Sequence, residues 1–148
     1  MADASDMIKL YSNRILELAA DIPHSNRLDA PDASEMKRSP LCGSTVTVDV
    51  SVKDGVVSAF GQDVKACALG QAAASVLGQG VVGQTLETIR SGRDELAAML
   101  KSDGPAPAAP FDELKVLEPA KAYKNRHASV LLAFDATVAA LESLSEAA

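Results

Sequence analysis

The sequence predicts an α+β fold in which a small antiparallel β-sheet of about three strands packs one face against helices. Valines alternate with polar residues from Thr45 to Val52, and this period of two is typical of a half-buried strand. The pair Asp54-Gly55 then favours a two-residue hairpin turn, and residues 56–64 return as a second strand. Apolar residues at helical spacing stand before and after the hairpin, so helices are expected against its valine face.

The composition fits one domain covering residues 1–148. With 148 residues, of which 47% are hydrophobic, the chain has enough apolar side chains to bury a core. Only 3% of the residues are aromatic and Trp is absent, so we expect a core of Val, Leu, Ile and Ala.

The segments before the hairpin predict one helix and one short strand. The helix begins at Ser5 or Asp6, either of which can cap it, and runs to about Ala20. Residues 21–34 form a polar connection, and residues 35–39 add an edge strand. The apolar stripe of the helix consists of Ile8, Tyr11, Ile15 and Leu18.

The chain after the hairpin is predicted to be helical. Small residues predict a helix over 68–77, which Gly78 and Gly80 end. Thr85 caps the next helical stretch, and Gly92 breaks that stretch before it resumes.

A loop follows over residues 104–110, which are rich in Pro and Ala. A short helix over 112–117 stops at Pro119. The last helix then runs from about His127 to Ser145, with an apolar stripe at Leu131, Phe134, Val138 and Leu141.

The charge and the apolar runs exclude several classes of protein. The net charge of −6 argues against a nucleic-acid or anionic-membrane partner. No uninterrupted apolar run approaches the roughly 18 residues of a membrane span, and the N-terminus lacks the basic start of a signal peptide. We therefore expect a cytoplasmic protein, in which two cysteines are more often free thiols, metal ligands or catalytic groups than a disulfide.

Both cysteines are expected at one end of the sheet. Cys42 precedes the first hairpin strand and Cys67 follows the second, so a chain that goes out and back brings them together. Cys67 also stands where a strand gives way to a helix, and unpaired N–H groups at a helix start favour a thiolate. His127 opens the last helix, where a neutral ring that can bind metal is expected.

Simpler interpretations stand beside this one. A lone cysteine is most often a small buried residue, and a lone histidine at a helix start is most often a capping or solvated group. Taken together, two thiolates and one imidazole suit zinc or an iron–sulfur cluster, with a fourth ligand from water, Asp63 or a partner. A Cys–His enzyme, with Cys67 as nucleophile and His127 as base, is a further alternative.

The chain resembles the U-type iron–sulfur cluster assembly scaffolds, the family of IscU, SufU and the NifU N-terminal domain. The specific block is Pro40-x-Cys42-Gly43, then the strand, Lys53-Asp54-Gly55, the return strand and Cys67. Leu10-Tyr11 and Ile15-Leu16 are similar to the opening helix of the family. The resemblance implies an IscU/SufU-like fold that covers nearly the whole chain.

The resemblance also implies a site and a function. Cys42 and Cys67 match the first two of three family cysteines, whereas Ser44 stands at the position of a family aspartate. The third cysteine position falls on His127 or Ala128, and we predict a metal and cofactor site of Cys42, Cys67 and His127. The implied role is a non-enzymatic scaffold or carrier that assembles a [2Fe–2S]-type cluster and passes it on.

The partners implied by the resemblance are a cysteine desulfurase and cluster-acceptor proteins, and a homodimer is left open. The alternative function is a diverged relative that binds zinc, or no metal, and acts as an interaction partner.

Overall fold

A computed structural model describes residues 12–41 and 43–147. The predicted start of the first helix and Cys42 lie outside these residues. Within them the chain forms an α+β fold, as predicted. The elements are α1 (Asn13–Ala20), β1 (Ala33–Arg38), β2 (Thr45–Lys53), β3 (Val56–Lys65), α2 (Ala68–Gly80), α3 (Leu86–Lys101), two 3₁₀ helices (Asp112–Ala122 and Lys124–Arg126) and α4 (His127–Ala147).

The sheet is antiparallel with the strand order β1-β2-β3. Asp54 and Gly55 form the hairpin turn with φ values of 55° and 81°, as a two-residue turn requires. At the open end of the hairpin, Thr45 pairs with Lys65. On the other side of β2, Thr45 pairs with Arg38 of β1.

Both faces of the sheet are covered. Val46, Val48 and Val50 are buried on one face, where α4 packs against β1 and β2. The connection before β1, predicted as a polar loop, runs along the free edge of β3, where the Gln62 N–H donates to the His24 carbonyl, and then covers part of the other face. Gly61 lies so close to Asn26 that a Cβ there would stand 2.4 Å from the Asn26 carbonyl oxygen.

The buried carboxylate of Asp49 fastens this connection to the sheet. Its two oxygens accept hydrogen bonds from the Arg27 guanidinium at 2.6 and 3.0 Å. The Leu28 N–H donates at 3.0 Å, and the Ser34 hydroxyl also donates. Burial raises the pKa of Asp49, but the hydrogen bonds from Arg27, Ser34 and Leu28 outweigh it, so the pKa lies below its usual value.

The helical half differs from the sequence prediction at three places. Gly78 does not end α2, which continues to Gly80. Gly92 does not break α3, and its missing side chain leaves room for the Phe111 ring. The helix predicted to stop at Pro119 is a 3₁₀ helix that continues to Ala122.

The longest helix is a core element. By length and composition alone, the segment Lys124–Ser145 is apolar enough to cross a membrane. However, 61% of its most apolar 18-residue window is buried inside the protein. Its apolar character is explained by packing against the sheet, α2 and α3.

We expect Asp49→Asn to lower the free energy of unfolding by about 2 kcal/mol at pH 7, because buried donors lose a charged acceptor. The folded-state pKa of Asp49 is lowered, so its stabilisation is present above the unfolded value of about 3.9 and is lost as pH falls through the folded value. Urea unfolding at pH 7 and below pH 4 tests this, and the difference from wild type should shrink in acid.

Asp54→Asn is the matched control, since Asp54 is exposed and its positive φ suits Asn equally well. It should change the unfolding free energy by less than about 0.5 kcal/mol. A loss for Asp49→Asn no larger than that of the control would contradict the anchoring role.

We also expect Gly92→Ala to destabilise the protein, although Ala is the better helix former by about 1 kcal/mol. The new Cβ would stand 2.6 Å from Cδ2 of Phe111, and overpacking of this kind costs about 1–3 kcal/mol. Thermal and urea unfolding measure the change. Ser91→Ala, at an exposed position of the same helix, should be neutral or slightly stabilising, and equal effects of the two variants would refute the close contact.

Candidate functional site

Cys67 lies at the open end of the hairpin, two residues after β3 ends and directly before α2 begins. It is a free, partly exposed cysteine. Cys42 lies outside the described residues, but its neighbours in the chain are at the same end. Leu41 lines the cavity beside Cys67, and Ser44 immediately precedes β2.

Two buried serines stand behind the Cys67 sulfur. The Ser129 Oγ, in the first turn of α4, lies 3.5 Å from the Cys67 Sγ. The Ser129 hydroxyl donates to the Ser44 Oγ at 3.3 Å. Ser129 is 1% exposed and Ser44 6% exposed, so the sulfur is linked to two hydroxyls that water does not reach.

Each serine hydroxyl has one proton to donate, and this determines how Ser129 and Ser44 respond when the Cys67 thiol ionises. While Ser129 donates to Ser44, it can only accept from Cys67, which fits a protonated thiol. When the thiol ionises, the Ser129 hydroxyl can turn and donate to the sulfur. The two serines therefore accommodate both protonation states of Cys67.

The surroundings of Cys67 favour the thiolate. Burial raises the pKa of the thiol, but hydrogen bonds to the sulfur from the Gly70 N–H, the Ser129 hydroxyl, the Leu69 N–H and the Arg126 side chain outweigh it. The pKa therefore lies below its usual value. The two N–H groups belong to the first turn of α2, so this is the helix-start effect expected from the sequence, although the thiol closes no capping hydrogen bond of good geometry.

The outer side of Cys67 faces an open cavity of about 140 Å³, which Leu41, Asn125, Arg126 and Ser129 also line. Leu41 is 72% exposed, which is unusual for a large apolar side chain. The sulfur thus has a buried polar side and an accessible side with an apolar edge.

His127 does not join this site. Its ring is buried, and its Nε2 lies 3.1 Å from the Ala120 carbonyl oxygen and 3.2 Å from that of Lys121. Two acceptors at these distances assign the ring proton to Nε2. The ring lines a separate cavity of about 680 Å³ together with Lys101 and Lys124.

The period of the α-helix explains why Ser129 reaches Cys67 and His127 does not. Residues two apart on an α-helix differ by about 200° in direction, so Ser129 and His127 face different sides of α4. The ligand role of His127 stays a prediction that this arrangement does not support. The Cys67–His127 pair needed for a Cys–His enzyme does not form.

No three His, Cys, Asp or Glu side chains within residues 12–41 and 43–147 are grouped closely enough to hold a metal ion. Asp63, considered as an oxygen ligand, instead lies within 3.9 Å of Lys65 on β3. A metal ion at this end of the sheet would therefore have to be held by the thiols.

The sequence reasoning missed Ser129. The position expected for a third ligand was His127 or Ala128, whereas the residue next to Cys67 is one or two positions further on. A stripe of small buried residues in α4, Ala133, Ala136 and Ala140, continues to Ser129 at helical spacing. That stripe was a usable signal, because small side chains mark the helix face that approaches its neighbours most closely.

Comparison with known proteins supplies relatives of similar length. No protein-family model matches the chain. The chain is 28% identical over 141 residues to the iron–sulfur cluster assembly scaffold protein IscU of Thermotoga maritima, covering 92% of this chain and 95% of that protein.

Two solved structures share the fold. The NifU-like N-terminal protein of Brucella abortus superposes with a TM-score of 0.94 at 45% identity, covering 97% of this chain and 99% of that one. The iron–sulfur cluster assembly scaffold SufU of Fervidobacterium islandicum superposes with a TM-score of 0.82 at 17% identity, covering 90% and 98%. Together with the cysteine block at the open end of the hairpin, these likenesses show that the chain belongs to the U-type family of iron–sulfur cluster assembly scaffolds.

Proposed function

We propose that this protein is a scaffold or carrier that receives iron and sulfide, holds them as a [2Fe–2S]-type cluster on Cys42 and Cys67, and passes the cluster to acceptor proteins. The observation that carries the proposal is the environment of Cys67. Helix N–H groups, Ser129 and Arg126 lower the pKa of its thiol, and the sulfur is accessible from one side. Membership of the family supports the same role.

The thiolate is the form that binds iron, so a lowered pKa increases the fraction of Cys67 ready to bind at neutral pH. Thiolates also prefer iron and zinc to the hard cations that carboxylates select. The lack of a grouped set of His, Asp and Glu in the described part of the chain is consistent with a cargo site that relies on sulfur.

Partial exposure of the sulfur suits delivery and release. A cluster on Cys67 would lie at the surface, where a donor protein can deliver sulfur and an acceptor can remove the assembled cluster. We propose a cysteine desulfurase as the sulfur donor and cytoplasmic apoproteins as acceptors. No step in this role requires the protein to act as an enzyme.

We expect Cys67→Ala to abolish binding of iron and sulfide, since one of the two thiolates is lost. The measurement is the iron and acid-labile sulfide content after anaerobic reconstitution, together with absorption between about 300 and 600 nm. Comparable amounts of iron and sulfide in the wild type support the proposal. Zinc alone, or no metal, in the wild type would overturn it.

His127→Gln serves as the control for the ligand set. The Gln amide can still donate to the carbonyls that Nε2 contacts, so the fold should survive and the cluster should still form. Loss of the cluster in this variant, with unchanged circular dichroism, would restore His127 as a ligand.

We expect Ser129→Ala to raise the pKa of Cys67, because one of the groups that stabilise the thiolate is removed. The pH dependence of iodoacetamide alkylation, measured on a Cys42→Ala background so that only Cys67 reacts, reports this pKa. Ser143→Ala is the matched control, since the Ser143 hydroxyl donates to the Ala140 carbonyl at the far end of α4. Identical alkylation profiles for both variants would show that Ser129 does not act on the thiol.

A further inference from the structure

We infer that the cavity on the His127 side of α4 binds a small anionic molecule, a phosphate or carboxylate attached to a compact apolar body. The volume of this cavity is about 680 Å³, within the range of about 300–1,000 Å³ that is usual for ligand sites. The inference goes beyond the proposed function, because Cys67 belongs to a different cavity.

The cavity lies where the ends of three helical segments meet. Leu100 and Lys101 belong to the last turn of α3, and Lys121 belongs to the end of the long 3₁₀ helix. His127 and Ala128 are the first residues of α4. Because three separate elements form its walls, the cavity is a product of the tertiary fold and not a groove along one helix.

Lysines give the cavity its charge. Lys101, Lys121 and Lys124 line it, together with the acidic residue Asp103. Lys121 and Asp103 form an ion pair at 2.9 Å, so their charges offset each other. Within residues 12–41 and 43–147, neither Lys101 nor Lys124 forms an ion pair, and both are exposed. Two ammonium groups without a paired carboxylate are a local excess of positive charge in a chain whose net charge is −6.

A carboxylate of α4 that does not line the cavity interacts with one of these lysines. The charge of Asp135 interacts with that of Lys101, but it interacts more strongly with those of Arg93 and Lys37. The ammonium group of Lys101 therefore remains available to a ligand.

The rest of the wall is apolar. Leu100, Ala122 and Ala128 line it together with the methylene stems of the lysines. Such a lining suits an aromatic ring or a short hydrocarbon chain, while the ammonium groups reach the anion from the side of the solvent. The cavity therefore fits an anion with an apolar body better than it fits an inorganic ion.

His127 adds one specific hydrogen-bonding atom. Its ring is 5% exposed, and its Nε2–H donates to main-chain carbonyls, so Nδ1 keeps a lone pair that can accept. No donor to Nδ1 is found in the part of the chain that the structure describes. Because the ring lines the cavity, a hydroxyl or amide N–H of the ligand would supply this donor.

The experiment is isothermal titration calorimetry of the full chain with four aromatic probes at neutral pH. The probes para-hydroxyphenyl phosphate and para-hydroxybenzoate carry the two kinds of anion on the same ring. The probe para-methoxybenzoate lacks the donor, and para-hydroxybenzyl alcohol lacks the charge. We expect the two hydroxylated anions to saturate one site, the methoxy compound to bind at least about threefold more weakly than para-hydroxybenzoate, and the alcohol to give no measurable binding.

The tighter of the two hydroxylated anions identifies the head group that the lysines select. Absence of saturable binding by both anions would overturn the inference, and so would an equal affinity for the uncharged alcohol. Equal affinities of the hydroxy and methoxy compounds would overturn the role of His127.

Two variants test the lysines. Lys101→Met and Lys124→Met remove the charge and keep an apolar stem, and each should weaken binding of the tighter anion at least about fivefold. Lys115→Met is the matched control, since Lys115 is exposed on the long 3₁₀ helix but does not line the cavity. Equal losses in all three variants would mean that only the net charge matters, which would contradict the proposed site.

Cys67→Ala separates this site from the proposed function. The variant should bind the anion with unchanged affinity although it no longer holds iron and sulfide. Loss of anion binding would assign the anion to Arg126 in the cavity of Cys67 and would overturn the inference. A wild-type protein that assembles a cluster but binds neither anion would overturn this inference alone and leave the proposed function intact.

Discussion

The main-chain pairing of Thr45 with Lys65 at the open end of the hairpin is the constraint on which the site depends. It keeps the residues before β2 and after β3 together, although more than twenty positions separate them in the chain. The two-residue turn at Asp54 and Gly55 closes the opposite end, and an irregularity between Ser51 and Val52 shifts the pairing by one residue before it reaches Thr45 and Lys65. A shift by one residue would expose the valines and carry Asp49 to the wrong face, so the position of Cys67 is determined by the same register that forms the core.

The second sheet face is also covered. The connection before β1 lies over that face, held by the Asp49 carboxylate and by the Gln62 N–H to the His24 carbonyl. On the first face, α4 packs across β1 and β2 and brings its first turn to the start of β2. Because both layers are fixed to β2, the serines behind Cys67 are held at hydrogen-bond distance, and the thiol meets preorganised donors.

The rotation of α4 about its own axis then decides which side chain faces Cys67. Ser129 and His127 are both buried at the start of this helix, yet one lies against Cys67 and the other against main-chain carbonyls. The helix thus presents a hydroxyl, which supports a thiolate without competing for a metal. The resulting site has a thiol whose pKa is lowered, so that it ionises more readily, and few other ligands, which is consistent with a scaffold that holds a cluster and passes it on.

The sequence by itself determined the local features. The alternating valines, the Asp-Gly turn and the helix start after Cys67 are short-range patterns, and each was predicted because backbone geometry near those residues decides it. The reason for a glycine at position 92 of α3 was not predictable, since it depends on where Phe111 packs. The tertiary structure alone decided that Ser129 faces Cys67 from 62 residues away, because the rotation of a packed helix about its axis is set by its whole buried face and not by the residues near the site.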